Sequence, residues 1–281
     1  MSLKENCLAA LKEGSWTFDV LGPIFRSALT KRVQGQDPSL SLQDRPMVEL
    51  TLLAYRRTLS GTEPIQSADM VINPALQSEA ARAALQDLAE STVDGGFIST
   101  FTADERAHIR AAIEEINRHA PETAQEFRRW ITHFLKLDGV PFRSASHPHA
   151  FGCIFLSSRI ASMSPAELAT SMVHEMGHQD LFLLNIIDRL IREEADYKMA
   201  HAPFQGVLRP PIGRLHSYFA LFRMIQFERL AGLETRKHSR LFYETKESFT
   251  QDELTEYGFQ IVEAAAAFIE GQSPQMEQRT L

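Results

Sequence analysis

The chain has 281 residues, 44% of them hydrophobic, and a formal net charge of −7. That length and apolar content can bury a full core in one large or two small domains, while net acidity and scattered basic residues argue against a nucleic-acid binder, which needs a basic face. No apolar run approaches the ~20 residues of a membrane span. The opening MSLKENCLAALKEG is too polar and acidic for a secretory signal, so the cytoplasm is the expected compartment.

Residues 3–33 read as two short helices, the first carrying Leu8 and Leu11, the second Val20, Ile24, Phe25 and Leu29. Gln34 to Pro46 is a polar connection with Gly35, Pro38 and several serines. Val48, Leu52, Tyr55 and Leu59 then repeat at helical period until Gly61. Met70-Val71-Ile72 suggests a short strand and the alanine-rich stretch 76–91 a helix. Thr102-Ala103-Asp104-Glu105 is a capping box opening a helix with Ile109, Ile113 and Ile116 on one face. Pro121 opens the next, whose Phe127, Trp130, Ile131 and Phe134 make an aromatic stripe expected in the core. His147-Pro148-His149 reads as a solvated loop or, if functional, as lining of a substrate cleft. Ala150 to Leu156 then reads as a strand. Cys7 and Cys153, far apart and in packing contexts, are expected to be buried free thiols.

The stretch that follows carries the chemistry. Ser164-Pro165-Ala166-Glu167 is a capping box with proline at the first helical position. An apolar period from Leu168 through Val173, Leu181 and Ile187 carries the helix to about Arg192. Inside it lies His174-Glu175-Met176-Gly177-His178, the pattern H-E-x-x-H. Positions i and i+4 lie one above the other on a helix face, so two imidazoles there can share one metal ion.

A metal open to substrate on one side calls for a third protein ligand. The extended pattern H-E-x-x-H-x-x-G-x-x-H fails, because Leu181 stands at its glycine position and Leu184 at its last histidine. Glu193, Glu194 and Asp196 are carboxylate candidates in a charged stretch that more simply ends the helix in solvent. His216 is the stronger candidate. It follows Pro210-Pro211 at the start of an apolar helix running through Leu221, Phe222, Ile225 and Phe227.

Residues 150–219, with Ala-Phe-Gly-Cys-Ile-Phe-Leu-Ser, the H-E-x-x-H helix, Arg209-Pro210 and Gly213-Arg214-Leu215-His216, resemble the HEXXH-domain proteins of ribosomal-peptide modification. That family is regarded as iron- and 2-oxoglutarate-dependent peptide β-hydroxylases. The resemblance implies Fe(II) on His174, His178 and His216, a precursor peptide as substrate, and Arg209 as a candidate for the far carboxylate of 2-oxoglutarate. Such a carboxylate needs a guanidinium partner where water is excluded. Arg214, and Arg223 two turns beyond His216, are alternatives.

The rival is a zinc peptidase in which Glu175 is the catalytic general base on metal-bound water. Against it stand the missing third-ligand pattern and the downstream R-P-P-I-G-R-L-H segment. In favour is the departure from the two-histidine, one-carboxylate iron site of many oxygenases. A third reading is an idle domain that binds a peptide in its cleft. The expected fold class is α+β, mainly α-helical, with a zincin-like metal-bearing helix and a small sheet. Residues 1–140 are expected to form a helical layer and 141–281 the metal-bearing region, as two parts or one continuous domain.

Overall fold

The computed structural model describes residues 1–36, 38–39, 42, 45–55, 71–72 and 97–271. The chain is mainly helical with small sheets and divides into two compact units, Met1–Leu21 with Asp180–Leu281, and Gly22–Gln179. The boundaries fall inside two helices, α2 (Phe18–Gln36) and α6 (Pro165–Ile187), not at residue 140. The sequence-based division misses this because the first helix packs with the C-terminal ones: α1 (Leu3–Lys12) lies against α9 (Glu256–Gly271).

In the unit Gly22–Gln179 a five-stranded sheet is the organising element. It is built from β1 (Val71–Ile72), β2 (Phe97–Ser99), β3 (His133–Asp138), β4 (Ser144–Ala145) and β5 (Cys153–Leu156). β1, β3 and β5 are parallel, β2 adds antiparallel to β3, and β4 is an antiparallel edge strand on β5. Side chains alternate across the sheet. Leu135, Leu137, Cys153, Phe155 and Ala145 point to one face, where they meet Val48 and Leu52 of α3 (Met47–Tyr55). Phe134, Lys136 and Ser144 point to the other, toward α4 (Ala103–His119), α5 (Pro121–Trp130) and α6. β3 and β5 are buried along nearly their whole length, as strands covered on both faces must be.

The local starts read from sequence are observed. Thr102 and Glu105 cap α4 reciprocally, and Ser164 and Glu167 do the same for α6 at 2.7 and 3.2 Å. Two elements end earlier than periodicity predicts. The aromatic stripe is not one helix: α5 stops at Trp130 and Phe134 belongs to β3, stacked on Phe127 at 5.8 Å. Phe134 and Phe127 are thus core neighbours through tertiary contact, which helical spacing mimics. α6 stops at Ile187, and the Leu190 N–H bonds the Asn185 side chain at 3.3 Å instead of continuing the helix. The expected strand at 150–156 shortens to β5, preceded by a 3-10 turn over Pro148–Ala150. Of the early expectations, Leu59, Gly61 and the 76–91 helix lie outside the described residues. Cys7 and Cys153 are buried and unpaired as disulfides.

The unit Met1–Leu21 with Asp180–Leu281 is a helical assembly around α7 (Pro211–Leu230), with α1, α8 (Arg236–Glu247), α9 and a hairpin of β6 (Ala200–Ala202) and β7 (Val207–Arg209). The Tyr218 ring stacks on Phe242 at 4.3 Å while its hydroxyl donates to the Val262 carbonyl at 2.7 Å, so the apolar body and polar tip are both satisfied. Gly258 lets α9 approach the Leu190 carbonyl, where a Cβ would sit 2.1 Å from the oxygen. Among the described residues no helix is long and apolar enough to cross a membrane.

One buried charge on the sheet makes a pH-sensitive prediction. The Lys136 ammonium donates to Glu105 at 3.0 Å, and Asp138, 3.6 Å away, also accepts from the Ser99 hydroxyl at 2.6 Å. Burial pushes both carboxyls up, but the hydrogen bonds from Thr102 and Ser99 and the Lys136 charge outweigh it, holding both below their ordinary values. Their contribution to stability is present above the unfolded carboxylate range and is lost as pH falls through the lowered folded values. Lys136→Met should lower stability at neutral pH and flatten its decline on acidification below about pH 4.5. Urea unfolding of both proteins at pH 3 to 7 reads this out; parallel curves would exclude the coupling.

Candidate metal centre

The site is built on α6. Its capping box starts the helix, and the apolar residues Leu168, Met172, Val173 and Met176 are buried. The polar face that meets the sheet is held by named bonds. Gln179 accepts from the Gly152 N–H at 2.7 Å and donates to the Cys153 carbonyl at 3.0 Å. One turn earlier, Glu175 Oε1 accepts from the Ser144 hydroxyl of edge strand β4 at 2.7 Å. Glu175 and Gln179 are i and i+4, so both bonds act on one helix face.

His174 and His178 each precede one of these residues and are therefore turned about 100° around the helix. Both are half-buried. Their ring centroids are 4.5 Å apart with planes at 81°, so the i and i+4 imidazoles predicted from the sequence do stand together. Glu175 is only 3% exposed and its Oε2 has no hydrogen-bond partner among the described residues. Burial pushes its carboxyl up to about 7, against a downward pull from Ser144 and Ser146. Ser146 Oγ is near enough for that pull yet stands outside hydrogen-bond geometry.

His216 lies on α7 in the other unit, half-buried, its ring 4.8 Å from that of Phe182. Burial, assisted by the charge of Arg209, pushes its pKa down to about 4. The imidazole is then neutral at physiological pH, the form that binds metals. Imidazole nitrogens such as those of the adjacent His174 and His178 are of the kind that ligate divalent cations. Among the described residues, however, no group of three His, Cys, Asp or Glu side chains gathers to hold one. Glu193 and Glu194 are exposed and Asp196 pairs with Arg189, so that stretch ends in solvent. His147 and His149 face each other at 5.0 Å, and His147 Nδ1 accepts from the His149 backbone N–H at 3.1 Å.

The three arginines have different fates. Arg214 is fully buried, donating to Glu253 at 2.6 Å and to the Ser248 hydroxyl at 3.2 Å, with its guanidinium over the Phe249 ring. Arg223 is also fully buried, bound to Asp180 at 2.7 Å, to the Gly14 and Ser15 carbonyls, and over the Trp16 ring at 4.1 Å. Both are committed to the protein's own carboxylates and carbonyls. Arg209 is exposed on β7, its stem against Gly213, and its guanidinium makes no hydrogen bond or ion pair among the described residues.

Sequence reasoning missed Ser144, Ser171 and Gln179. Ser171 and Gln179 stand four residues either side of Glu175, a spacing that was available to it. Ser144 was not, since only the register of β4 on β5 brings it to the helix. Comparison with protein-family models and with curated proteins returns no match for the chain.

Removing one partner of a fully buried ion pair strands the other charge, at a cost of about 3–5 kcal/mol. Arg214→Leu and Arg223→Leu should each lower unfolding free energy by about that much, whereas Arg209→Ala should change it by no more than about 0.5 kcal/mol. Chemical denaturation of the three variants checks this, and an unaffected Arg214→Leu protein would return that arginine to the list of ligand contacts.

Proposed function

We propose that the chain is an iron- and 2-oxoglutarate-dependent oxygenase that hydroxylates a side-chain carbon of a ribosomally made peptide. The observation that carries the reading is the facing pair His174 and His178 on a helix anchored to a sheet. The third ligand in this reading is His216. Its support is chemical and local: the ring is kept neutral, and it packs on Phe182, which follows His178 by one turn of α6. The zincin-like description of α6 and its sheet belongs to the same proposal.

Fe(II) held there with 2-oxoglutarate would activate dioxygen, which is the oxidant: one oxygen atom would go to 2-oxoglutarate, which leaves as succinate and carbon dioxide, and the other to the unactivated peptide carbon. The protein's own residues bind, orient and exclude. His174, His178 and His216 offer nitrogen lone pairs. Arg209 is the arginine left to grip the far carboxylate of 2-oxoglutarate with paired hydrogen bonds, and its charge is felt at His216. Arg214 and Arg223 serve instead to rigidify α7, the helix that carries His216.

A second reading is favoured by one specific feature, the Oε2 of Glu175, a residue next to His174 in the chain, which has no hydrogen-bond partner among the described residues. In a zinc peptidase that oxygen would take the proton of attacking water. A non-catalytic peptide-binding domain would hold a peptide at the same residues without turnover.

Full-length protein should bind about one Fe(II) or Zn(II) per chain, and His178→Ala should weaken that binding by at least about tenfold. With iron and 2-oxoglutarate, succinate should form in step with oxygen added to a peptide. Arg209→Ala should raise the 2-oxoglutarate requirement about tenfold or more at unchanged metal content. Zinc-dependent peptide cleavage that ignores 2-oxoglutarate, and is abolished by Glu175→Gln with metal retained, would replace the oxygenase by the peptidase.

A further inference from the structure

We infer that Ser144, backed by Ser171, is a positioning residue for Glu175: it fixes Oε1 and leaves Oε2 to accept from an N–H or O–H donor on a ligand bound beside His174 and His178. The inference deepens the proposed function and rests on the reading that the histidine pair carries a metal. It concerns groups that all lie within the unit Gly22–Gln179.

The geometry is directional. Ser144 Oγ is 2.7 Å from Glu175 Oε1 and 2.7 Å from Ser171 Oγ. A serine hydroxyl has one proton to donate. Given to the carboxylate, it leaves the Ser144 oxygen to accept from Ser171, so the chain runs from Ser171 through Ser144 to Glu175. Ser171 is half-buried and stands one turn before Glu175 on the same face of α6. Ser144 is aimed by strand register. Ala145 pairs with Phe155 and enters the apolar cluster on the far face of the sheet, so its neighbour must point to the helix. A single edge strand therefore sets the direction of the carboxylate.

The other oxygen is the unexplained group. Oε2 belongs to a side chain 97% buried, and a buried carboxylate oxygen without a donor carries an uncompensated desolvation cost. Ser146, just past the end of β4, places a second unpartnered buried hydroxyl nearby among the described residues. An acceptor and a hydroxyl side by side suit a ligand that offers a donor hydrogen with a neighbouring oxygen. A peptide amide has that chemistry, as does a hydroxamate.

The test uses full-length protein loaded with Zn(II) or Co(II), with acetohydroxamate as the probe and calorimetry as the readout. Ser144→Ala should weaken acetohydroxamate about tenfold while metal affinity stays within about twofold. Ser144→Thr, which keeps the hydroxyl on a strand, should restore binding, and Ser171→Ala should cost about two- to threefold. In a Glu175→Gln background, Ser144→Ala should add no further loss, because its effect passes through the carboxylate. Wild-type affinity in Ser144→Ala, or an equal loss in both backgrounds, overturns the inference while leaving the metal reading intact. A wild-type protein that takes up neither metal sinks both, and the metal titration alone reveals it. Should Ser144→Ala fail to fold, Ser171→Ala and Ser144→Thr decide between the outcomes.

Discussion

Gln179 is the residue on which the candidate site depends. Its side-chain amide takes the Gly152 N–H and gives to the Cys153 carbonyl, satisfying one donor and one acceptor at the mouth of β5. A buried amide with both ends bonded has one orientation, so it fixes the rotation of α6 about its own axis as well as its distance from the sheet. Glu175 adds a second fixed point one turn away through Ser144. With two points on one face secured, His174 and His178 have no freedom to turn inward. They stand half-exposed as a pair, on a rigid element, where a small angular error would otherwise separate the two imidazoles.

The same economy of polar groups explains the arginines. α7 buries two guanidinium groups completely, a costly arrangement unless each is matched by a carboxylate and further acceptors. Glu253 and Ser248 match Arg214; Asp180 and the carbonyls of Gly14 and Ser15 match Arg223. Aromatic rings lie against both cations, which favours arginine over lysine at these positions. A cation so engaged cannot also receive a cosubstrate carboxylate without breaking the fold. Arg209 differs in being on a short exposed hairpin, where binding an anion would disturb nothing that the core requires.

The polar face of the sheet shows how one strand can serve both stability and chemistry. Lys136 on β3 is neutralised by Glu105 and Asp138, while Ser144 on the edge strand and Ser146 just past its end offer Glu175 hydroxyls and no positive charge. Burial pushes all three carboxyls up, but hydrogen bonds and the Lys136 charge outweigh it at Glu105 and Asp138, whereas at Glu175 burial prevails and the pKa is raised. Carboxyls bonded to the same sheet face thus acquire opposite properties from their neighbours.

What the sequence by itself determined was local. Capping boxes at Thr102 and Ser164, prolines at Pro121 and Pro211, and the i and i+4 spacing of His174 and His178 act within one or two helical turns, so the starts of these helices and the histidine pair follow from the order of residues. What only the tertiary structure decided was which polar groups remain available. Arg209, Arg214 and Arg223 look alike in sequence, but two are consumed by carboxylates 39 and 43 residues away along the chain. Phe134 fits a helical period yet lies in a strand, and Ser144 reaches Glu175 only because β4 pairs with β5 in one register. Partners of that kind are chosen by burial and strand pairing, which satisfy hydrogen bonds across long separations that periodicity along the chain does not record.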